Sequence, residues 1–517
     1  MVNNKESNIP LSVKINTEKD LGKMTNILST FFKRNFIISI KNSDWKRILL
    51  IFFGIFLFFA VYFLPELPLA IDPMGKSFTL SHEGKAAIAL FLLAATWWIS
   101  EVVPIGITSI TIGVVQAIFF IRPARVAFTD FMDPSVWFIF GSIVIGLAFT
   151  NSGLTKRLAY RMLLIVGEKT IMIYLGCFVL TALLTLIMAH TAVAATMYPL
   201  LLAIYSLYSE DDKPNKFGKG LFIGMAFVAG AGSIITLLGA ARGAVAIGFF
   251  NDIVGREITF FELSYYMLPL GFTMVFLLWA YLSIFFSPEK KRIPGLRERA
   301  KALHRNLGPM TYTEILTIVI VIMSIGLMCL RSFYPTLKLI DKSAIILSAT
   351  ILFYLFKILN IDNLEDIPWN IILLFGGAMS IGYCLWQTGA ADWLAVKWLV
   401  LFKNTHLFIF VMGIAFLVLI MTNLIMNVAA ITIALPVALV MGPYLGVAPE
   451  VILFASLATA GMPFLFLIGA APNAIAYSSG QFKSSEFFIA GVPPSILLLI
   501  ILGLFVYFIW PLMGMPC

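Results

Sequence analysis

Charge is scarce in this chain. Asp, Glu, Lys and Arg make up 12% of its 517 residues, against about 25% in a soluble globular protein. That shortage excludes a molecule whose surface lies mostly in water. Cysteine is scarce as well. The four, Cys177, Cys329, Cys384 and Cys517, show no paired spacing, which argues against a disulfide framework and a thiolate metal site. Three lie in apolar runs and read as small core residues. There is no His-Glu-x-x-His, no pair of aspartates in an apolar run and no Ser/His/Asp set, so a membrane-embedded enzyme would lack its reacting groups. Strand-type alternation is missing too, which argues against a barrel.

What the chain has is apolar length. Hydrophobic residues make up 60% of it, and runs of roughly 20 recur from Arg47 onward, each enough to cross a bilayer as a helix. The expected fold is an all-α polytopic membrane protein. The net charge of +9 then implies no nucleic-acid partner, because inside-facing loops of such proteins are rich in Lys and Arg. No cleavable signal peptide is visible, since residues 1–47 are polar and the first apolar run is long.

In order, residues 1–47 read as a cytoplasmic tail and 48–84 as a first crossing with an outer loop. Residues 85–287 form a first half, 288–312 a basic cytoplasmic linker, and 313–517 a second half. About eleven crossings and two re-entrant hairpins, at 172–206 and 406–443, are expected. That count puts the amino terminus inside the cell membrane and the carboxyl terminus outside. The tail, the 156–169 connection, the 211–219 loop and the 289–305 linker then share the cytoplasmic face.

The functional signal is a pair of polar interruptions. His190 and Asn427 each precede a proline, Pro199 and Pro436, by nine positions, with small residues between. Matched interruptions in two hydrophobic halves are the best sequence pointer to a transporter's binding site. Phe140-Gly141-Ser142, Gly146 and Ser152-Gly153 find weaker echoes in Phe375-Gly376-Gly377, Gly382 and Thr388-Gly389, a second trace of an internal repeat. The glycine-rich stretches Gly230–Gly243 and Gly461–Ala474 read as helices broken within the membrane, around a cavity that satisfies their backbone. Glu101, between Trp97-Trp98 and Pro104, reads as a structural carboxylate at the interface.

At these residues the sequence resembles the divalent anion/sodium symporter family, carriers of Krebs-cycle dicarboxylates. Trp97-Trp98-x-Ser100-Glu101-x-x-Pro104 and Gly469-Ala470-Ala471-Pro472-Asn473 carry the resemblance most specifically, and it spans most of residues 85–512. It implies two inverted repeats, a homodimer, and an elevator in which a transport domain moves past a scaffold. It also implies that substrate carboxylates sit between the hairpin tips, with sodium beside them. Carried over, that site comprises His190, Thr191, Asn427, Val428, Pro472 and Asn473.

Two departures matter. The family's Ser-Asn-Thr tip reads Ala189-His190-Thr191, and its Thr-Pro-Pro-Asn reads Ala240-Ala241-Arg242-Gly243. Sodium needs hard oxygen ligands; here a residue that can be cationic and one that always is stand instead. Arg242 facing the cavity would supply the missing charge and clamp a carboxylate. The expectation is a sodium-independent exchanger of C4/C5 dicarboxylates (succinate, malate, fumarate or 2-oxoglutarate), with His190 and Arg242 replacing a sodium site and no cofactor. A sodium-coupled symporter using only a second site at Asn427 and Asn473 stays open. So does a proton-coupled carrier centred on His190. Ser233, Thr236 and Thr191 are weaker candidates, since hydroxyls in membrane helices commonly bond their own backbone.

Overall fold

The computed structural model describes residues 45–71, 77–100, 102–209, 213–399, 406–424 and 426–516. Nearly all of the tail, together with Glu101, Ile425 and Cys517, lies outside them. The chain divides into residues 1–53 and 54–517; of the first, the described part is the opening of helix α1 (Trp45–Tyr62). After Pro65 come two-residue strands, β1 (Ala70–Ile71) and β2 (Ser77–Phe78), paired antiparallel with Ala70 opposite Phe78.

Helices α2 (His82–Ser100) and α3 (Ile105–Ile118) are separated at Pro104, which cannot continue a helix hydrogen-bond ladder. Helix α4 (Pro134–Asn151) has proline at its first position, and the Asp133 carboxylate accepts the Ser135 N–H at 2.7 Å. A surface helix, α5 (Leu154–Val166), follows. Then α6 (Thr170–Thr185) and α7 (His190–Tyr208) meet at a tip over residues 186–189. The interrupted helix comes next, α8 (Lys216–Gly232) and α9 (Ala241–Val254), followed by α10 (Phe260–Phe285). The basic linker holds α11 (Leu296–Asn306). Helices α12 (Tyr312–Phe333) and α13 (Lys342–Leu355) lead into a second series in the same order. It consists of α14 (Trp369–Gln387), the short helix α15 (Ala390–Leu399), the pair α16 (Leu407–Leu424) and α17 (Asn427–Met441), interrupted helix α18 (Pro449–Ala460) and α19 (Ala471–Tyr477), and α20 (Ser484–Leu504).

Among the described residues, nine helices are long and apolar enough to cross a membrane, and four shorter apolar helices accompany them. Two of the nine are α7 and the helical stretch starting at Asn427, the second arms of the two helix pairs. Length therefore cannot separate a full crossing from a re-entrant arm. Two sequence expectations shift in detail. The 211–219 loop gives way to helix at Lys216, because the Asn215 side chain accepts the Gly218 N–H at 2.8 Å and caps α8. The 289–305 linker is largely helical, with Leu296 and Ala300 buried and Arg297, Arg299, Lys301 and Arg305 exposed.

Two groups of helices can be traced through the packing, and they also touch one another, α17 on α14 and α9 on α4 and α14. Helix α14 lies along α3 and α13 along α4, with α12 on α13. In the other group α8 is surrounded by α6, α7, α10 and α19, while α16, α17 and α18 pack together and α17 rests on α9. At one end the groups are joined by polar links: Arg331 of α12 binds Glu257, beyond α9, at 2.6 and 3.0 Å, and the Tyr383 hydroxyl of α14 donates to Asp252 of α9 at 2.5 Å.

Another buried pair ties the halves of the sequence. Arg157 of α5 donates to both carboxylate oxygens of Glu314 at 2.8 and 2.9 Å, and to the carbonyls of Gly308 and Pro309. Glu314 also accepts the Thr311 N–H at 2.8 Å, completing a capping box on α12. Arg157 is 7% and Glu314 2% exposed, so removing one partner strands a charge away from water. Arg157→Ala is expected to lower stability by about 3–5 kcal/mol, read as a drop in the thermal unfolding midpoint of the detergent-purified protein. An unchanged midpoint would show the pair to be solvated.

Candidate functional site

The two unwound segments, 233–240 and 461–470, need hydrogen-bond partners that the helix ladder no longer supplies. The helix tips provide them. At the first tip the His190 N–H donates to the Gly239 carbonyl at 2.9 Å, and the Thr236 hydroxyl donates to the Leu186 carbonyl at 2.9 Å. At the second, Asn423 accepts the Leu465 N–H at 2.7 Å and the Thr422 hydroxyl donates to the Ala460 carbonyl at 3.0 Å. Asn473 turns inward, its amide donating to the carbonyls of Pro463 and Phe466 at 2.9 and 3.1 Å. Gly239 is needed where it stands. A Cβ there would lie 2.7 Å from the carbonyl oxygens of both Ser233 and Thr185.

Four helices begin at this place, and none is closed by the side chain of its N-cap. The caps are Ala189 for α7, Ala240 for α9, Met426 for α17 and Ala470 for α19. All four beginnings line a single cavity of about 930 Å³. Three of these helices are long enough to carry an appreciable dipole, positive at this end. First-turn N–H groups without intrahelical partners then make a ready anion site. No Asp or Glu occurs among the cavity's lining residues.

His190, Thr191, Asn427 and Val428 line the cavity. The His190 Nδ1 lies 3.2 Å from the Gly239 carbonyl oxygen. A carbonyl only accepts, so Nδ1 carries the proton and Nε2 is left as the other ring nitrogen. Pro472 and Asn473 are buried behind the wall, Asn473 committed to the unwound backbone. Arg242 is also behind the wall, which at this point is formed by Ala241. It is 2% exposed, and its Nη2 donates to the Ser233 hydroxyl at 2.8 Å. A Cβ on Gly461 would come within 2.6 Å of the same nitrogen. The guanidinium of one half therefore rests against the unwound segment of the other. Its Nη1 has no partner among the described residues.

Thr422 and Asn423 were not singled out in the sequence. The polar pair Thr422-Asn423 inside an apolar run was the available signal. Ser233 and Thr236, weaker candidates, turn out to hold Arg242 and the first tip.

A helical membrane protein whose paired tips and interrupted helices enclose one cavity is a carrier, not an enzyme. The chain belongs to the family described as the sodium:sulfate symporter transmembrane region, matched over residues 45–515. That is in keeping with the resemblance read from the motifs. A sodium-dependent dicarboxylate transporter, SdcS, of Staphylococcus saprophyticus is 25% identical over 453 residues, covering 84% of this chain and 87% of the relative. The transporter of the same name from Staphylococcus aureus is 25% identical over 454 residues with the same coverage. A crystal structure of the Alcanivorax borkumensis YdaH transporter aligns over 91% of this chain and 99% of its own, at 12% identity and a TM-score of 0.45.

Gly239→Ala is expected to slow transport roughly a hundredfold, on the order of what about 1 Å of misplacement costs a preorganised site. Gly243→Ala, whose Cβ would meet nothing closer than 3.4 Å, should leave it near wild type. Equal rates for the two variants in reconstituted vesicles would show that the first tip tolerates displacement.

Proposed function

We propose that the chain is a sodium-independent exchanger of C4/C5 dicarboxylates, working as a homodimer by an elevator movement of one helix group past the other. The observation that carries this reading is the seat of Arg242, a permanent cation held by Ser233 and packed against Gly461. It stands where the resemblance puts a mobile sodium ion. The dicarboxylate class draws support from the relatives' names and from helix N-termini facing a cavity without carboxylates.

The mechanism follows from charge. Arg242 acts through the Ala241 wall by its field, without touching substrate, in a medium that screens little. A dianion between His190 and Asn427 offsets that field, so the loaded group of helices can slide through low-dielectric surroundings. Emptied, the same group carries an uncompensated cation, and the cost of several kcal/mol slows its return. Slow empty return enforces exchange. The contact of α9 with α4 and α14, and of α17 with α14, gives the elevator part a surface along which one group would slide.

A second reading is sodium coupling through a site near Asn427 and Asn473, favoured by the relatives being named sodium-dependent. Proteoliposomes separate the two. Labelled succinate should enter only vesicles preloaded with dicarboxylate, and an imposed sodium gradient should not alter its rate. Entry into unloaded vesicles in proportion to that gradient would defeat the exchanger. Arg242→Ala is expected to abolish exchange while the protein still purifies folded; full activity would reduce Arg242 to a packing role.

A further inference from the structure

The cavity extends well beyond the tips. Its far end is walled by the surface helices α5 and α11, which pack together and contribute Lys156, Tyr160 and Arg299. Helix α11 sits with Leu296 and Ala300 buried, and Arg299 between them in sequence is exposed and lines the cavity. On α5 the adjacent cations have different fates. Arg157 is consumed by Glu314, whereas Lys156 lines the cavity. Neither Lys156 nor Arg299 is in an ion pair among the described residues. A four-carbon dianion occupies only part of a space of about 930 Å³, so the cavity has room for a second position beside these side chains.

We infer that Lys156 and Arg299 form a separate entry subsite for dicarboxylate, a vestibule where the dianion is held before it reaches His190 and Asn427. The inference rests on the exchanger reading for its substrate and adds a site to it. Arg299 offers paired N–H donors to one carboxylate, and Lys156 a point charge to the same dianion. Clefts lined by one sign of charge with low-dielectric walls concentrate counter-charged ligands and raise association rates. One cation comes from the first half and the other from the linker between the halves, and the folding of that linker as α11 sets them on one cavity.

The test compares the full-length wild type with the Lys156→Gln/Arg299→Gln pair in labelled succinate exchange, over a range of ionic strength. At low salt the pair is expected to raise KM about tenfold, the lower end of what electrostatic focusing delivers, with the maximum rate essentially unchanged. At high salt the two KM values should converge, because the charges are screened there. The Lys156→Arg/Arg299→Lys pair, which keeps both charges, should keep the wild-type dependence of KM on salt. Should the double Gln variant fail to fold, each single Gln variant should show a smaller rise with the same dependence on salt. Equal KM values at low salt, a rise that survives high salt, or a loss confined to the maximum rate would overturn the vestibule. Sodium-driven uptake by the wild type would instead overturn the exchanger reading, and the KM comparison would then be made in that mode.

Discussion

A backbone that unwinds inside a membrane must find its hydrogen bonds locally, and the rest of this structure follows from how that is done. Residues 233–240 and 461–470 leave the helix ladder, and the tips of the helix pairs meet them with a backbone carbonyl and a side-chain acceptor. Thr236 with Leu186 and Asn423 with Leu465 are the paired solutions. Such stitching demands close approach, which is why glycine stands at 239 and 461. It also gathers four helix beginnings on one cavity, so the device that satisfies the backbone creates an anion-attracting surface.

Charge in the site is arranged in layers. Helix N-termini face the cavity, Arg242 lies behind one of them, and no carboxylate lines the wall to neutralise either. The guanidinium is bonded to a hydroxyl from its own half and packed against Gly461 of the other, so its position depends on both unwound segments keeping their shape. On the proposed reading that shared dependence couples substrate binding to the fit between the two halves.

Much of this was legible in the chain. His190 and Asn427 open helices and line the cavity because small residues and a later proline mark a helix start in an apolar run. The interrupted helices were legible from glycine alone. Direction was not. Arg242 could be placed near the site, but whether its side chain turned toward the cavity or behind it depended on Gly461, more than two hundred residues away. Lys156 and Arg299 read as ordinary loop charges because their meeting depends on a helix forming in the linker. Asn423 was hidden by its neighbour Asn427, the more obvious amide. The number of crossings was not legible for a simpler reason, since the second arms of both helix pairs meet the same length and hydropathy test as the other long helices.

A bound alkali ion belongs to the solution as much as to the protein, and dialysis can take it away. The cation at position 242 is covalent. Its charge was set when the chain was synthesised, and no change in the electrolyte on either side of the membrane can deplete it.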